Sequence, residues 1–356
     1  MTGQELYSAL KPFHFADRLG EIAGGGCPAP VHVRIKPTNR CNHDCWYCAY
    51  RAEELQLGED MDDTDSIPPA KMMEIVDDLL EMDVRAVTFS GGGEPTLYKP
   101  LPDVINRLGA GGIAIGCLTN GSNLKGRVAE ALARHATWVR VSIDAWDDAS
   151  YAAARGIKGD AYSRMLANVQ AFVRDAPDCT LGVSFIIGEK NHRRVDEVCR
   201  SFKSLGVRHV KLSAAVVSND LAANDAYHAP MREAVAAEIT RARAHEDADF
   251  HVIDHYHALG DRFEKSYTHC PSARLLTIIG ADQMVYACQD KAYTDGGRLG
   301  EINDQSFKTF WFSEQNRQRL AAIDPRSDCR HHCVGDAKNR ALADFLDLDR
   351  RHVAFV

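Results

Sequence analysis

A chain of 356 residues, 45% hydrophobic and 26% charged, is long enough for one large domain and a smaller one and has an ordinary globular composition. Its formal net charge of −8 comes with basic residues scattered rather than striped, which argues against nucleic acid as a partner. No apolar run approaches the ~18 residues of a membrane span, and the opening MTGQELYSALKPFHF lacks the charged-then-apolar pattern of a signal peptide, so a soluble, cytoplasmic protein is expected.

From about Val31 to Ala215 short β-rich runs alternate with helical stretches. VHVRIKP reads as a strand, and PPAKMMEIVDDLLEMDV as a helix opened by two prolines, with Met72, Ile75, Val76, Leu79 and Leu80 at helical spacing. RAVTFSGG, IAIGCLTNGS, TWVRVSIDAW, CTLGVSFIIG and HVKLSAAVV are five further strands, each reached through a helix. Six strands joined by helices predict a parallel sheet with right-handed crossovers, an α/β fold built as a partial (β/α)6 TIM-like barrel or, alternatively, an open doubly wound sheet. Residues 1–30 form an N-terminal extension, 31–215 the barrel, and 216–262 a polar, helical connector containing MREAVAAEITRARAHED. In 263–356 the rhythm changes: RLLTIIGADQMVYACQD is a hairpin signal, followed by a helix and the DCRHHC loop. A small C-terminal α+β domain with its tail is expected there.

Eleven cysteines in such a chain point to metal or redox chemistry rather than disulfides. Cys41, Cys45 and Cys48 follow the first strand with C-x3-C-x2-C spacing, so three soft thiolates can converge from one loop. Three thiolates without a clear fourth ligand suit a four-iron cluster with one open iron. The competing readings are a zinc knuckle completed by His43 or a remote residue, and cysteines that serve packing. SGGGEP at 90–95 closes the second strand, and its glycines let backbone approach a ligand closely, although a plain βα turn has the same look. Ser142 and Asp144 share a face and suit hydroxyl binding, or a helix cap. Thr119 and Asn120 end another strand at an Asn-Gly turn.

The cysteine triad, with Tyr47 before its last member, resembles the signature of the radical S-adenosylmethionine (SAM) superfamily, and the resemblance covers roughly Val31 to Ala215. It implies a 4Fe–4S cluster on Cys41, Cys45 and Cys48 whose unique iron binds SAM. It also implies that Gly92, Gly93 and Glu94 meet the SAM amino group and that Ser142 and Asp144 meet its ribose or carboxylate. Ile186, Ile187, Gly188 and Asn191 would pack on adenine, and Thr119 and Asn120 would face the pocket. The late cysteines, Cys270, Cys288, Cys329 and Cys333, together with GRLGEINDQSFKTFW, resemble the twitch domain, a shortened relative of the SPASM domain. That layout implies a second, auxiliary 4Fe–4S cluster with all four positions filled. The last pair departs from it with C-x3-C spacing, which opens a role for His331 or His332; a four-cysteine zinc site is the alternative.

Of the isolated cysteines Cys27, Cys117, Cys179 and Cys199, Cys179 and Cys199 read as packing residues, whereas Cys117 is a candidate hydrogen donor to a substrate radical. Tyr50, Arg51, Lys190, His192 and Lys211 lie near the cysteine loop or strand ends as candidate substrate contacts. The resemblance implies reductive cleavage of SAM and hydrogen abstraction from a small polar substrate: a sugar, aminocyclitol or nucleotide derivative, with oxidation or epimerisation as outcome. An electron donor such as flavodoxin or ferredoxin is implied. A peptide-modifying enzyme is the second reading, and a non-catalytic iron–sulfur electron carrier the third.

Overall fold

The computed structural model describes residues 6–349 and 351–355. Residues 1–5 of the expected N-terminal extension, and residues 350 and 356 of the tail, lie outside the described part. No described helix is long and apolar enough to cross a membrane.

All six expected strands form: β1 (His32–Ile35), β2 (Ala86–Phe89), β3 (Ala114–Thr119), β4 (Ala136–Ser142), β5 (Thr180–Ile187) and β6 (His209–Ala214). They lie side by side in chain order and in parallel, with Val33 opposite Val87, and Val87 opposite Ile115. The helices Pro69–Glu81, Leu101–Ala110, Gly126–His135, Ala161–Asp175 and Val195–Ser204 make the crossovers. The stretch read as a helical connector also holds a strand, β7 (His251–Asp254), parallel to β6, beside the helices Leu221–His228 and Arg232–Arg243. The expected hairpin is β8 (Leu276–Ile279) and β9 (Met284–Tyr286), followed by β10 (Arg298–Glu301). β8 pairs in parallel with β1, so one sheet runs β10-β9-β8-β1-β2-β3-β4-β5-β6-β7 without closing on itself. The fold is the predicted open, partial barrel.

Strand alternation divides the residues between two faces. Val33, Ile35, Val87, Phe89, Cys117, Val139 and Val141 are fully buried with Met72, Ile75, Val76 and Leu79 of the first crossover helix in one apolar core. Each such side chain contributes about 1.5–3 kcal/mol relative to an exposed one. The opposite face turns inward and is polar: His32 bonds Thr88 across β1 and β2 at 2.8 Å, and Arg34, Arg140, Ser142, Ser184 and Lys211 share this side. Gly116 and Gly182 lie on the inner face, where a Cβ would run into the Trp138 and His209 rings at 2.3 and 2.2 Å. Polar lumen and apolar jacket leave the C-terminal strand ends as the place where loops meet over the opening.

Candidate functional site

The loop with Cys41, Cys45 and Cys48 follows β1 and leaves all three thiols partly exposed at that opening. It is tied down from below. Asp44 N–H bonds the Arg155 carbonyl at 2.8 Å, and Asn120 Nδ2 donates to Asn42 at 2.9 Å. The glycine run after β2 lies against its start: Gly93 N–H bonds Thr38 O and Glu94 N–H bonds Arg40 O. A Cβ on Gly93 would sit 2.1 Å from the Arg40 carbonyl oxygen, and one on Gly92 2.4 Å from Asn39 Oδ1. Glycine is required here for two loops to touch, and no hydrogen bond found among the described residues uses the Gly92 or Gly93 carbonyl.

Most of the expected contact residues do gather here, but many bind one another. Glu94, 3% exposed, accepts from Thr96 N and Oγ1, from Thr119 Oγ1 at 2.6 Å and from Asn120 N at 2.7 Å. Burial pushes its carboxyl up, and these four bonds pull against it. Its side chain is therefore a clasp between β2 and β3. Removing it leaves four donors unmatched, at about 1–3 kcal/mol for each one that water cannot reach. Glu94→Ala is expected to lower unfolding free energy by roughly 2–4 kcal/mol in denaturant titration, and Glu94→Gln by less.

Asp144 lies just past β4 with a left-handed φ of 55°, a conformation Asp tolerates better than most residues. Its carboxylate accepts from Tyr47 Oη at 2.6 Å, from Arg155 Nη2 at 2.8 Å and from the Ile186 amide. Asn191 bonds the Gly188 amide and the carbonyls of Asp144 and Ile186, pinning β4 to β5. Ser142 pairs with Ser184 at 3.2 Å on the inner face. Glu94, Asp144 and Asn191, expected as ligand contacts, thus hold the floor under the cysteine loop through their side chains. Gly188 packs beneath Trp46 and Tyr227, and no larger residue fits without displacing the Tyr227 hydroxyl.

Three expected residues face the wrong way, one of them Thr119, which lies two positions beyond Cys117 on β3 and opposite Val141. Cys117 is 0% exposed between Phe89 and Val139 on the helix side of the sheet, so it cannot reach a substrate in the lumen. Ile187 is likewise fully buried on that side; its neighbour Ile186 is the one turned to the opening. Lys190 is exposed outside the opening, and His192 bonds the Glu189 carbonyl. Lys211 points into the lumen.

Arg155 is the residue that sequence reasoning missed. It ends the helix Asp148–Arg155, is 3% exposed, stacks near the rings of Tyr47 and Tyr151, and points Nη1 at Cys45 Sγ from 3.5 Å. Burial works against its charge, but Tyr47 and Asp144 outweigh that and hold the guanidinium above its ordinary range. Lys36, fully buried, bridges Tyr50 Oη, the Gly91 carbonyl and Gln289, beside Cys288.

The thiols fit an iron–sulfur cluster. Burial pushes Cys41 up to about 11, with Cys45 and Cys48 adding to it; three such thiolates need a cationic core to coexist. Among the described residues no three His, Cys, Asp or Glu side chains converge tightly enough for a single metal ion. His43, the zinc candidate, is 6% exposed and packs edge-on against Tyr151. The late thiols are mutual neighbours too: burial pushes Cys288 well up, and the charges of Asp290, Cys333, Cys270 and Cys329 reinforce it. Asn339 donates to Cys270 Sγ at 3.1 Å. His331 is buried and His332 packs on Phe263.

The cysteine loop over an open parallel barrel lies within residues 35–193, and these match the family described as Radical SAM superfamily. Proteins of this superfamily use a 4Fe–4S cluster and SAM. Curated relatives include a probable GTP 3′,8-cyclase of Metallosphaera sedula, 23% identical over 51% of this chain and 54% of its own length. Another is the tungsten-containing aldehyde ferredoxin oxidoreductase cofactor-modifying protein of Pyrococcus furiosus, 25% identical over 53% of this chain and 51% of its own. The chain spans about half the length of the curated relatives it matches. In fold it is similar to Streptococcus suis SuiB bound to precursor peptide SuiA (TM-score 0.62, 15% identity, 92% of this chain and 74% of that one). It is also similar to native anSMEcpe with bound AdoMet (TM-score 0.61, 16% identity, 86% and 91%).

Proposed function

We propose that the chain is an enzyme that reductively cleaves SAM and directs the resulting 5′-deoxyadenosyl radical at a small polar substrate, a sugar, aminocyclitol or nucleotide derivative. The observation that carries this reading is the cysteine loop clamped over the opening of a polar lumen within a radical SAM domain. Cys41, Cys45 and Cys48 would hold a 4Fe–4S cluster, which would supply the electron for reductive opening of the sulfonium. The chain's residues orient and enclose. Asp144, Tyr47, Asn120 and Arg155 fix the loop, the free Gly92 and Gly93 carbonyls offer acceptors to an ammonium group, and the inner face of β4 and β5 offers Ser142 and Ser184 to hydroxyls.

A nucleotide derivative gains support from the curated relatives, one of which is by its name a cyclase of GTP. Oxidation gains support from Cys270, Cys288, Cys329 and Cys333, which we assign to a second 4Fe–4S cluster in 263–356, able to take an electron from the substrate radical. Epimerisation loses its candidate thiol with Cys117 in the apolar core. The barrel at 31–215, the connector at 216–262 and a flavodoxin- or ferredoxin-type donor complete the reading.

The test is anaerobic reconstitution with iron and sulfide, reduction with dithionite, and detection of 5′-deoxyadenosine from SAM by mass spectrometry. Deuterated sugars and nucleotides then identify the substrate by deuterium in that product. No 5′-deoxyadenosine from the reconstituted protein would sink the proposal.

A further inference from the structure

The lumen carries a concentration of positive charge that SAM cleavage does not need. Arg34 on β1, Arg140 on β4 and Lys211 on β6 point inward by strand alternation, and Arg262 joins them from the segment after β7. They are close enough to oppose one another. Burial lowers the proton affinity of Lys211 well below its ordinary value, and Arg140, Arg262 and Arg34 lower it further.

Their observed partners are neutral. Arg34 donates to Gln289 Oε1 at 2.9 Å, Arg140 to Tyr7 Oη at 2.7 Å, and Arg262 meets His255 Nδ1 at 3.2 Å. Lys211 lies over the Tyr7 ring at 5.6 Å. None of the four forms an ion pair with a carboxylate among the described residues, and Arg34 Nε and Arg140 Nε are buried with no partner at all. Asp290 is the acid that faces Arg34, Lys211 and Arg262, and its carboxylate already takes the Val334 amide at 2.7 Å. Asp254, nearby, is engaged by His257 and Arg243. All four cations are intermediate in exposure.

Burying one unpaired cation is costly, and here four gather with Asp290 and, beside Arg34 and Arg262, the Cys288 and Cys333 thiols as the nearby acids, none of them ion-paired to the four. Such an arrangement is favourable when an anion completes it. We propose that the lumen binds the anionic end of the substrate, a phosphate ester or polyphosphate with at least two negative charges, among Arg34, Arg140, Lys211 and Arg262. The four come from different walls and heights of the barrel, so they surround a ligand rather than line one side of it. A carboxylate's two oxygens occupy one guanidinium fork, whereas a phosphate chain offers enough oxygens for several. The far end of such a substrate lies toward Lys36 and Tyr50, below the cysteine loop. This deepens the radical SAM reading by naming its substrate class.

The test uses the reconstituted full chain under anaerobic calorimetry, with tripolyphosphate as probe and GTP and guanosine as comparison arms. Tripolyphosphate and GTP are expected to bind, with affinity falling as salt rises, and guanosine to bind far more weakly. Arg140→Gln and Lys211→Gln are each expected to weaken tripolyphosphate roughly tenfold or more, while Arg140→Lys retains most of the affinity. Melting temperatures of the Gln variants should hold or rise, because like charges are being removed. Absence of tripolyphosphate binding, or Gln variants that bind as wild type does, would overturn the proposal. Wild-type SAM cleavage, assayed in parallel without substrate, separates the two readings. A protein that cleaves SAM but ignores tripolyphosphate refutes the anion site alone. One that binds tripolyphosphate through Arg140 and Lys211 but cleaves no SAM refutes the radical chemistry alone.

Discussion

Cys41→Ala, Cys45→Ala and Cys48→Ala combined should abolish 5′-deoxyadenosine formation and remove about one four-iron cluster of iron from the reconstituted protein, leaving the iron of the late group. The two cysteine groups are separable because each is held by its own contacts. The early loop hangs on the Arg155 carbonyl, Asn120 and the glycine run, none of which needs a thiol. The late group rests on Asn339 and on the Cys333 amide bonded to the Arg262 carbonyl at 3.0 Å. Alanine therefore leaves a folded protein with one empty loop, and far-ultraviolet circular dichroism should match the parent. Iron content that did not fall by about one cluster would refute the assignment of the early cysteines. The reciprocal variant, Cys288→Ala with Cys333→Ala, should lose iron from the other group and still yield 5′-deoxyadenosine from SAM.

β1 to β6 were legible because each combines a period-two or continuous β-rich run with a neighbouring helical stretch. β7 was not: His251–Asp254 is four residues long within a polar stretch, too short for periodicity to register. The pairing of β8 with β1 joins residues more than two hundred positions apart, and nothing local encodes it. At the site, residue types were legible and partners were not. Glu94, Asp144 and Asn191 stand at strand ends as expected, yet whether a carboxylate faces a ligand or a neighbouring amide depends on three-dimensional neighbours. Cys117 and Ile187 show a second limit: one residue along a strand reverses the face, so a motif match without register can misplace a side chain. The lumen charges were written in plain alternation, as His32, Arg34 and Lys36 in VHVRIKP and as His209 and Lys211 in HVKLS. Arg155, a lone arginine after three alanines, carried no pattern at all.

Arg155→Ala should cost about 3–5 kcal/mol of stability, the range for stripping one partner from a buried ion pair. The Arg155 and Asp144 side chains are 4% and 1% exposed and 2.8 Å apart. Without the guanidinium, Asp144 keeps only the Tyr47 hydroxyl and the Ile186 amide in a site from which water is excluded. Burial already pushes that carboxyl up and Arg155 is the main force pulling it down, so the variant's folded state favours the protonated acid. A folded-state value above the unfolded one means stability is retained below the ordinary carboxylate range and lost as pH rises through the raised value. The deficit of Arg155→Ala relative to the parent should therefore be smallest in mild acid and grow toward neutral pH, measured by denaturant titration across that interval. Because Arg155 Nη1 also points at Cys45 Sγ, the variant should retain less iron in the early group at neutral pH. Adding Asp144→Asn removes the stranded charge, keeps one oxygen for Ile186 N–H and turns an amide N–H toward Tyr47 Oη as donor, so the double variant should regain much of the stability and lose the pH dependence. A double variant as unstable as Arg155→Ala would place the role of Arg155 in its packing against Tyr47 and Tyr151 instead of its charge.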